Sequence, residues 1–284
     1  MKLLRYSDPS GKPRDGLLHD GKIFPLTDGL TTVTALGTLQ EGNAAWQEVL
    51  RQAPVELGSV HLLPPVEQPG AYMDFYSFEQ HVRTCRAKRG FDVPPEWYEH
   101  PVWYNGSTRC FSGDGSTVIF PQGENKKDYE LELAVVLKSP CHRVTEKEAG
   151  KAIGAFTIVN DFSARELQQT VMRIGLGPAK AKDFNTGLGP WLVTPEEIGD
   201  PRNLKMRAWV NGGLWSEGNS GASHFTFEQM IAYASEFQTL YPGDVLASGT
   251  VGTGCGFEQD RFLNSGDKVE LEIERIGRLT HWIG

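Results

Sequence analysis

The segment Asp128-Tyr-Glu-Leu-Glu-Leu-Ala-Val-Val-Leu137 constrains this chain more than any other. Its aliphatic and β-branched content predicts a strand, and strand side chains alternate between two faces. Glu130 and Glu132 therefore share a face, opposite Tyr129, Leu131 and Leu133. The same face continues with Ala134 and Val136, so it turns apolar within a few residues. Two carboxylates entering a dry face are costly unless a cation compensates them. The pair reads either as a short solvent-facing row or as part of a metal site. Residues 268–274 supply an internal control, because Glu270, Glu272 and Glu274 alternate strictly with apolar residues. Nothing turns that polar face inward, and a solvated strand is expected there.

Further short runs predict strands: TVIFP, AFTIVN, KMRAWVNG, DVLASGT and KVELEIERIG, each bounded by turn-forming residues. Helices are fewer. One is expected over residues 226–236, and another from Ser163, where Ser-Ala-Arg-Glu has the form of a capping box. Near the start, MKLLRYS, DGLLHD and KIFPL are strand candidates, followed by a helical stretch at residues 44–51. Pro64-Pro65 then favours extended backbone and marks a boundary. The expectation is an α+β chain, predominantly β, with a small β-rich N-terminal domain at residues 1–63 and a larger domain at residues 64–284.

The net charge of −8 argues against a broad phosphate-binding surface, so nucleic acid is not an expected partner. No run approaches the length of a membrane span, and the N-terminus lacks the apolar core of a signal peptide. A cytoplasmic protein is expected. Its four cysteines (Cys85, Cys110, Cys141, Cys255) form no C-x-x-C pair and read as reduced thiols. The signatures of serine hydrolases, zincins, P-loop NTPases and dinucleotide-binding folds are all absent, which directs attention to acidic residues.

Asp161 follows the apolar run AFTIVN and precedes the expected helix. It is either a turn aspartate or a third carboxylate for the Glu130/Glu132 pair. Three oxygen donors without a cysteine suggest a hard ion: Mg²⁺ or Mn²⁺, with Ca²⁺ as an alternative. Arg165 and Gln168 are three apart on the new helix and share a face, as a surface pair or as groups for a substrate oxyanion. Residues 83–103 carry Arg83, Arg86, Lys88 and Arg89, then Pro94, Pro95 and Trp97. They read as a solvated loop or as a flap presenting basic residues to a substrate carboxylate.

Taken together, several segments resemble the fumarylacetoacetate hydrolase family. They are Asp74-Phe-Tyr-Ser-Phe-Glu-Gln-His81, Pro101-Val-Trp-Tyr-Asn-Gly106, Tyr129-Glu-Leu-Glu132 and Asn160-Asp-Phe-Ser-Ala-Arg-Glu-Leu-Gln168. Ala181-Lys-Asp-Phe-Asn-Thr186, Gly189-Pro-Trp191 and Gly243-Asp-Val-Leu-Ala-Ser-Gly-Thr250 follow in the family's order. The resemblance implies that Glu130, Glu132 and Asp161 are metal ligands, with Asp74 a fourth carboxylate. It implies His81 as general base and Tyr76, Tyr104 and Thr250 as substrate-binding groups. Arg165, Gln168 and Lys182 would stabilise developing negative charge. In one branch of the family the base is paired with a glutamate three residues on, but here that position is Thr84; Glu258 is the candidate partner instead. The implied catalytic fold, over residues 64–284, is a mixed β-sandwich roll, and the implied assembly is a homodimer.

The implied reaction is metal-dependent hydrolysis of a carbon–carbon bond in a 1,3-diketo acid. Isomerisation or decarboxylation of a related 2-oxo acid on the same metal is the alternative within the family. A catalytically silent dimer that binds a metal–dicarboxylate complex is the alternative outside it.

Overall fold

In the computed structural model, which describes residues 1–284, the strand Leu131–Leu137 is buried along its whole length. It pairs antiparallel with Ile153–Asn160 on one side and Val245–Ala247 on the other. Leu131, Leu133, Val135 and Leu137 enter one core, whereas Ala134 and Val136 enter a second. A strand covered on both faces loses its polar alternation, which is why this run reads as continuously apolar after Glu132.

The main sheet has twelve strands, with these three near its middle. Beyond Val245–Ala247 lie Tyr72–Phe75, parallel to it, and Trp103–Asn105. Beyond Ile153–Asn160 lies Thr186–Val193, which pairs with the N-terminal strand Lys2–Ser7. Strands from the first 63 residues thereby continue the main sheet through backbone hydrogen bonds. A separate five-stranded sheet, including Lys205–Val210, Lys268–Ile273 and Gly277–Ile283, shares the larger core with Leu133 and Ile158. Helices Thr32–Thr38 and Ala44–Leu50 supply Ala35, Leu36, Trp46 and Val49 to the core on the opposite face. The chain is thus predominantly β and mixed in strand direction, with helices in a supporting role.

Two local expectations need correction. The helix after Asp161 runs Arg165–Met172, and Ser163 does not cap it. Phe162 is fully buried, and Ser163–Ala164 stay extended, pairing with Lys127–Asp128. The free N–H groups of Glu166 and Leu167 are taken instead by the Glu124 carboxylate, each at 3.1 Å. The glutamate row at residues 270–274 is also less solvated than expected. Arg278, opposite Glu272 on the next strand, lies across it and donates to Glu270 at 3.2 Å and to Glu272 at 2.8 Å. Lys268 adds a second contact to Glu270 at 3.0 Å, leaving that residue 9% exposed. The helix expected over residues 226–236 is Phe227–Ala234, with Thr226 and Gln229 completing a capping box.

His281 lies on the inward face of Gly277–Ile283 and is fully buried. Its Nε2 is 3.1 Å from the Ser112 hydroxyl, and its ring meets Phe162 edge-on at 5.2 Å. Burial pushes its pKa down to about 4. A depressed folded-state value gives stability that is present above the unfolded value of roughly 6.5 and is lost as the pH falls toward 4. Going from about pH 7 to about pH 5, this residue should remove about 2 kcal/mol of stability. Urea unfolding at the two pH values should therefore show a smaller loss for His281→Gln than for the unchanged protein. Equal losses would mean that His281 ionises as easily folded as unfolded.

Candidate active site

A cleft of about 860 Å³ opens where the ends of the central strands meet. Asp74, Glu132 and Asp161 project into it, and one carboxylate oxygen from each lies within 4.8 Å of the others. None is more than 3% exposed. Each is held by a named donor: the Tyr72 hydroxyl to Asp74 at 3.0 Å, and the Tyr104 hydroxyl to Asp161 at 2.9 Å. Glu132 accepts from the Thr250 hydroxyl at 3.1 Å and the Gly249 N–H at 3.2 Å. Gly249 has φ +82°, and a Cβ there would lie 2.4 Å from the Phe75 carbonyl oxygen, so only glycine brings this N–H to Glu132.

Glu130 is answered differently. The Lys182 ammonium bridges Glu130 and Asp161. Arg165 Nη2 lies 2.6 Å from Glu130 and 2.7 Å from Asp128, and its Nη1 donates to Gln168 at 3.0 Å. Burial would raise the Glu130 carboxyl, but Arg165 and Lys182 outweigh it and hold it well below the usual range. Burial, then repulsion from Asp74 and Asp161, pushes Glu132 well above its usual range. Asp161 and Asp74 are also raised, burial being the largest cause in each, with Lys182 partly opposing it. Three mutually repelling oxygen donors, buried and short of positive charge, are the donor set a hard divalent cation satisfies.

His81 enters the cleft from the helix Glu79–Ala87, on the buried side it shares with Val82 and Cys85. Its Nδ1 is 3.1 Å from Glu258 Oε2, and its Nε2 is 3.9 Å from Glu130 Oε1. Thr84, three residues on, bonds back to the Gln80 carbonyl. Glu258 is steadied by the Thr253 N–H at 3.1 Å. Burial pushes the His81 pKa down, but Cys255 and Glu258 outweigh it and the net shift is well upward. The Tyr76 ring meets His81 edge-on at 5.6 Å.

Every residue to which the family resemblance assigns a catalytic, substrate-binding or metal-ligand role lines this one cleft except Glu258, which stands behind His81. Of the basic residues in the segment 83–103, Arg86 and Arg89 line the cleft, whereas Arg83 pairs with Glu79 and Lys88 with Asp260. Three supporting residues escaped sequence reading. Asp128 was legible in principle, since it extends the acidic row of Glu130 and Glu132 by one more alternation. Tyr72 precedes Asp74 by two on its strand. Glu124 reaches its helix from 42 residues away and carries no local signal.

The fumarylacetoacetate hydrolase C-terminal profile matches residues 70–283. A 2,4-didehydro-3-deoxy-L-rhamnonate hydrolase of Sphingomonas sp. strain SKA58 is 32% identical over 285 residues, covering 98% of this chain and 94% of that protein. Maleylpyruvate hydrolase from Sphingobium sp. SYK-6, solved with manganese(II) and pyruvate, has a TM-score of 0.78 at 22% identity, covering 100% of this chain and 98% of that one. A 5-carboxymethyl-2-hydroxymuconate delta-isomerase from Mycobacterium smegmatis has a TM-score of 0.77 at 24% identity, covering 100% and 99%. These two structures establish the shared fold. With the profile spanning most of its length and a relative aligned from end to end, this chain belongs to the fumarylacetoacetate hydrolase family.

Proposed function

We propose that this protein hydrolyses a carbon–carbon bond in a 1,3-diketo acid of the acylpyruvate or fumarylacetoacetate type, using a divalent cation. The observation that carries this reading is the meeting, in one cleft, of the carboxylate cluster and the His81–Glu258 pair. A carboxylate cluster alone would suit an isomerase or a decarboxylase, whereas a histidine backed by a carboxylate is what activation of water requires. The Sphingomonas relative supports the same direction, since its named substrate is a 2,4-dioxo acid.

Asp74, Glu132 and Asp161, with Glu130 beside them, would hold Mg²⁺ or Mn²⁺, with Ca²⁺ as an alternative. The bound cation would supply electrostatic stabilisation of the enolate that departs when the bond breaks. Glu258 holds the His81 Nδ1–H, which leaves Nε2 free to take a proton from water. The resulting hydroxide attacks the acyl carbonyl, the carbon–carbon bond breaks toward the enolate carbon, and His81 returns its proton there. Lys182, Arg165 and Gln168 would stabilise the negative charge that develops on oxygen. Tyr76, Tyr104 and Thr250 would orient the diketone, and Arg86 and Arg89 would take the substrate carboxylate.

His81→Ala should lower kcat by about 10²–10⁴-fold, followed as ultraviolet loss of an acylpyruvate panel and fumarylacetoacetate with Mg²⁺ or Mn²⁺. Unchanged turnover would dismiss His81 as the base. Glu258→Gln removes one of the groups that raise the His81 pKa, so the acidic limb of the kcat/KM profile should move to lower pH. A limb that stays in place would assign it to another group. Calorimetry should show that Asp161→Ala and Glu132→Ala lose Mn²⁺ binding while Glu272→Ala, on the far sheet, retains it. Retained affinity in the first two would sink the carboxylate site.

A further inference from the structure

A second group of donors lies directly behind His81, and it differs in chemistry from the carboxylate cluster. His81 and Cys85 are four apart on the helix Glu79–Ala87 and face the same way. Cys255 and Glu258 are three apart, at the start and within the first turn of the short helix Gly256–Gln259 packed against it. His81, Cys85 and Cys255 are each at most 4% exposed, and one ligand atom from each lies within 4.8 Å of the others. The Glu258 carboxylate joins them at 3.1 Å from His81 Nδ1 and 3.5 Å from Cys255 Sγ.

Geometry decides whether these are merely neighbours. A tetrahedral zinc with bonds of about 2.0–2.3 Å sets its ligand atoms about 3.3–3.8 Å apart. Here Cys85 Sγ is 3.7 Å from His81 Nδ1 and 3.8 Å from its Nε2, Cys255 Sγ to Nδ1 is 4.0 Å, and the two glutamate contacts are 3.5 and 3.1 Å. Each of these four edges needs an adjustment of a few tenths of an ångström, and the two sulfurs lie within 4.8 Å of one another. Two sulfurs, one imidazole nitrogen and one carboxylate form a borderline-soft donor set, distinct from the all-oxygen cluster. The four cysteines are free thiols, so both sulfurs are available. His81 borders the open cleft, which gives an ion a route inward.

We propose that Cys85, Cys255, His81 Nδ1 and Glu258 form a second metal site, selective for a thiophilic divalent cation such as Zn²⁺, and that its occupation silences the enzyme. Binding releases two thiol protons to solvent and forms two metal–sulfur bonds. Burial pushes the Cys255 thiol well above its usual range, with Arg165 partly opposing it, so the metal ion itself must displace that proton. Coordination at Nδ1 places the remaining imidazole proton on Nε2, the nitrogen that faces the cleft. That nitrogen then has no lone pair with which to take a proton from water. This inhibitory step rests on the proposed base role of His81; the binding step does not.

The test titrates Co²⁺ into the protein with Mg²⁺ in excess to fill the carboxylate cluster and a non-thiol reductant present. A thiolate-to-cobalt charge-transfer band should grow to one equivalent, and Cys85→Ala and Cys255→Ala should each abolish it. No band in the unchanged protein, or the same band in both variants, would overturn the site. X-ray absorption at the zinc edge of the unchanged protein should show two sulfur neighbours at about 2.3 Å, so the answer does not depend on how the variants fold. A shell of oxygen and nitrogen alone would also overturn it. Zn²⁺ should then stop diketo-acid hydrolysis, with Cys85→Ala keeping basal turnover and resisting the ion. A zinc–sulfur site whose filling left turnover unchanged would refute the base role of His81 and the inhibition, while the binding site stood.

Discussion

Carboxylates packed into a dry site set the terms for this structure. Asp74, Asp128, Glu130, Glu132, Asp161 and Glu258 converge where only Arg165 and Lys182 are permanently charged in return. An uncompensated buried charge either takes up a proton or destabilises the fold. The two cations are spent mainly on Asp128, Glu130 and part of Asp161. Asp74 and Glu132 have only neutral donors, from Tyr72, Thr250 and the Gly249 N–H. Burial pushes both carboxyls upward, and repulsion from Asp74 and Asp161 adds to it at Glu132. A cation held there, as proposed, would lower the cost of the whole arrangement, so that binding it and stabilising the site would be one event.

Arg165 ties this charge balance to the architecture. It stands in the first turn of Arg165–Met172, a helix that cannot form its expected serine cap because Phe162 is drawn into the core. Its guanidinium grips Asp128, and Asp128 in turn accepts the Gly256 N–H at 2.7 Å and the Phe257 N–H at 3.0 Å. Those N–H groups open the short helix that carries Glu258. The partner of His81 is therefore placed by a chain of contacts running from the helix of Arg165 through Asp128 to the far loop. This is why a glutamate so distant in sequence can replace one three residues after the histidine.

Much of this was legible in the sequence, and the reasons differ from residue to residue. Glu130 and Glu132 stood out because alternation put them on a face that turns apolar, and the structure covers that strand on both sides. The sequence rule failed at Glu270, where the same alternation occurs but Arg278 from the neighbouring strand folds over it. Cross-strand cover depends on register, and register is not visible in one strand. Ser163 failed for a related reason: the capping box is a local motif, and burial of Phe162 overrode it. Glu124 could not have been found, because its role exists only once residues 124 and 166 are brought together. The ordered set of family-like segments located the remaining cleft residues because it encodes tertiary proximity that periodicity lacks.

The cleft also sorts its donors by softness. Asp74, Glu132 and Asp161 offer oxygen alone, at the ends of strands that the sheet holds in register. Cys85, on the helix Glu79–Ala87, and Cys255, just before the helix Gly256–Gln259, stand close to the His81 ring. A hard ion gains little from thiols, and a soft one gains most from them. Histidine is the single group within reach of both sets: its Nδ1 meets Glu258 and lies 4.0 Å from Cys255 Sγ, its Nε2 lies toward Glu130, and Cys85 Sγ stands 3.7 and 3.8 Å from the two nitrogens. The two nitrogens of one ring thus separate a site suited to supporting chemistry from one suited to stopping it, and which nitrogen carries the proton decides between them.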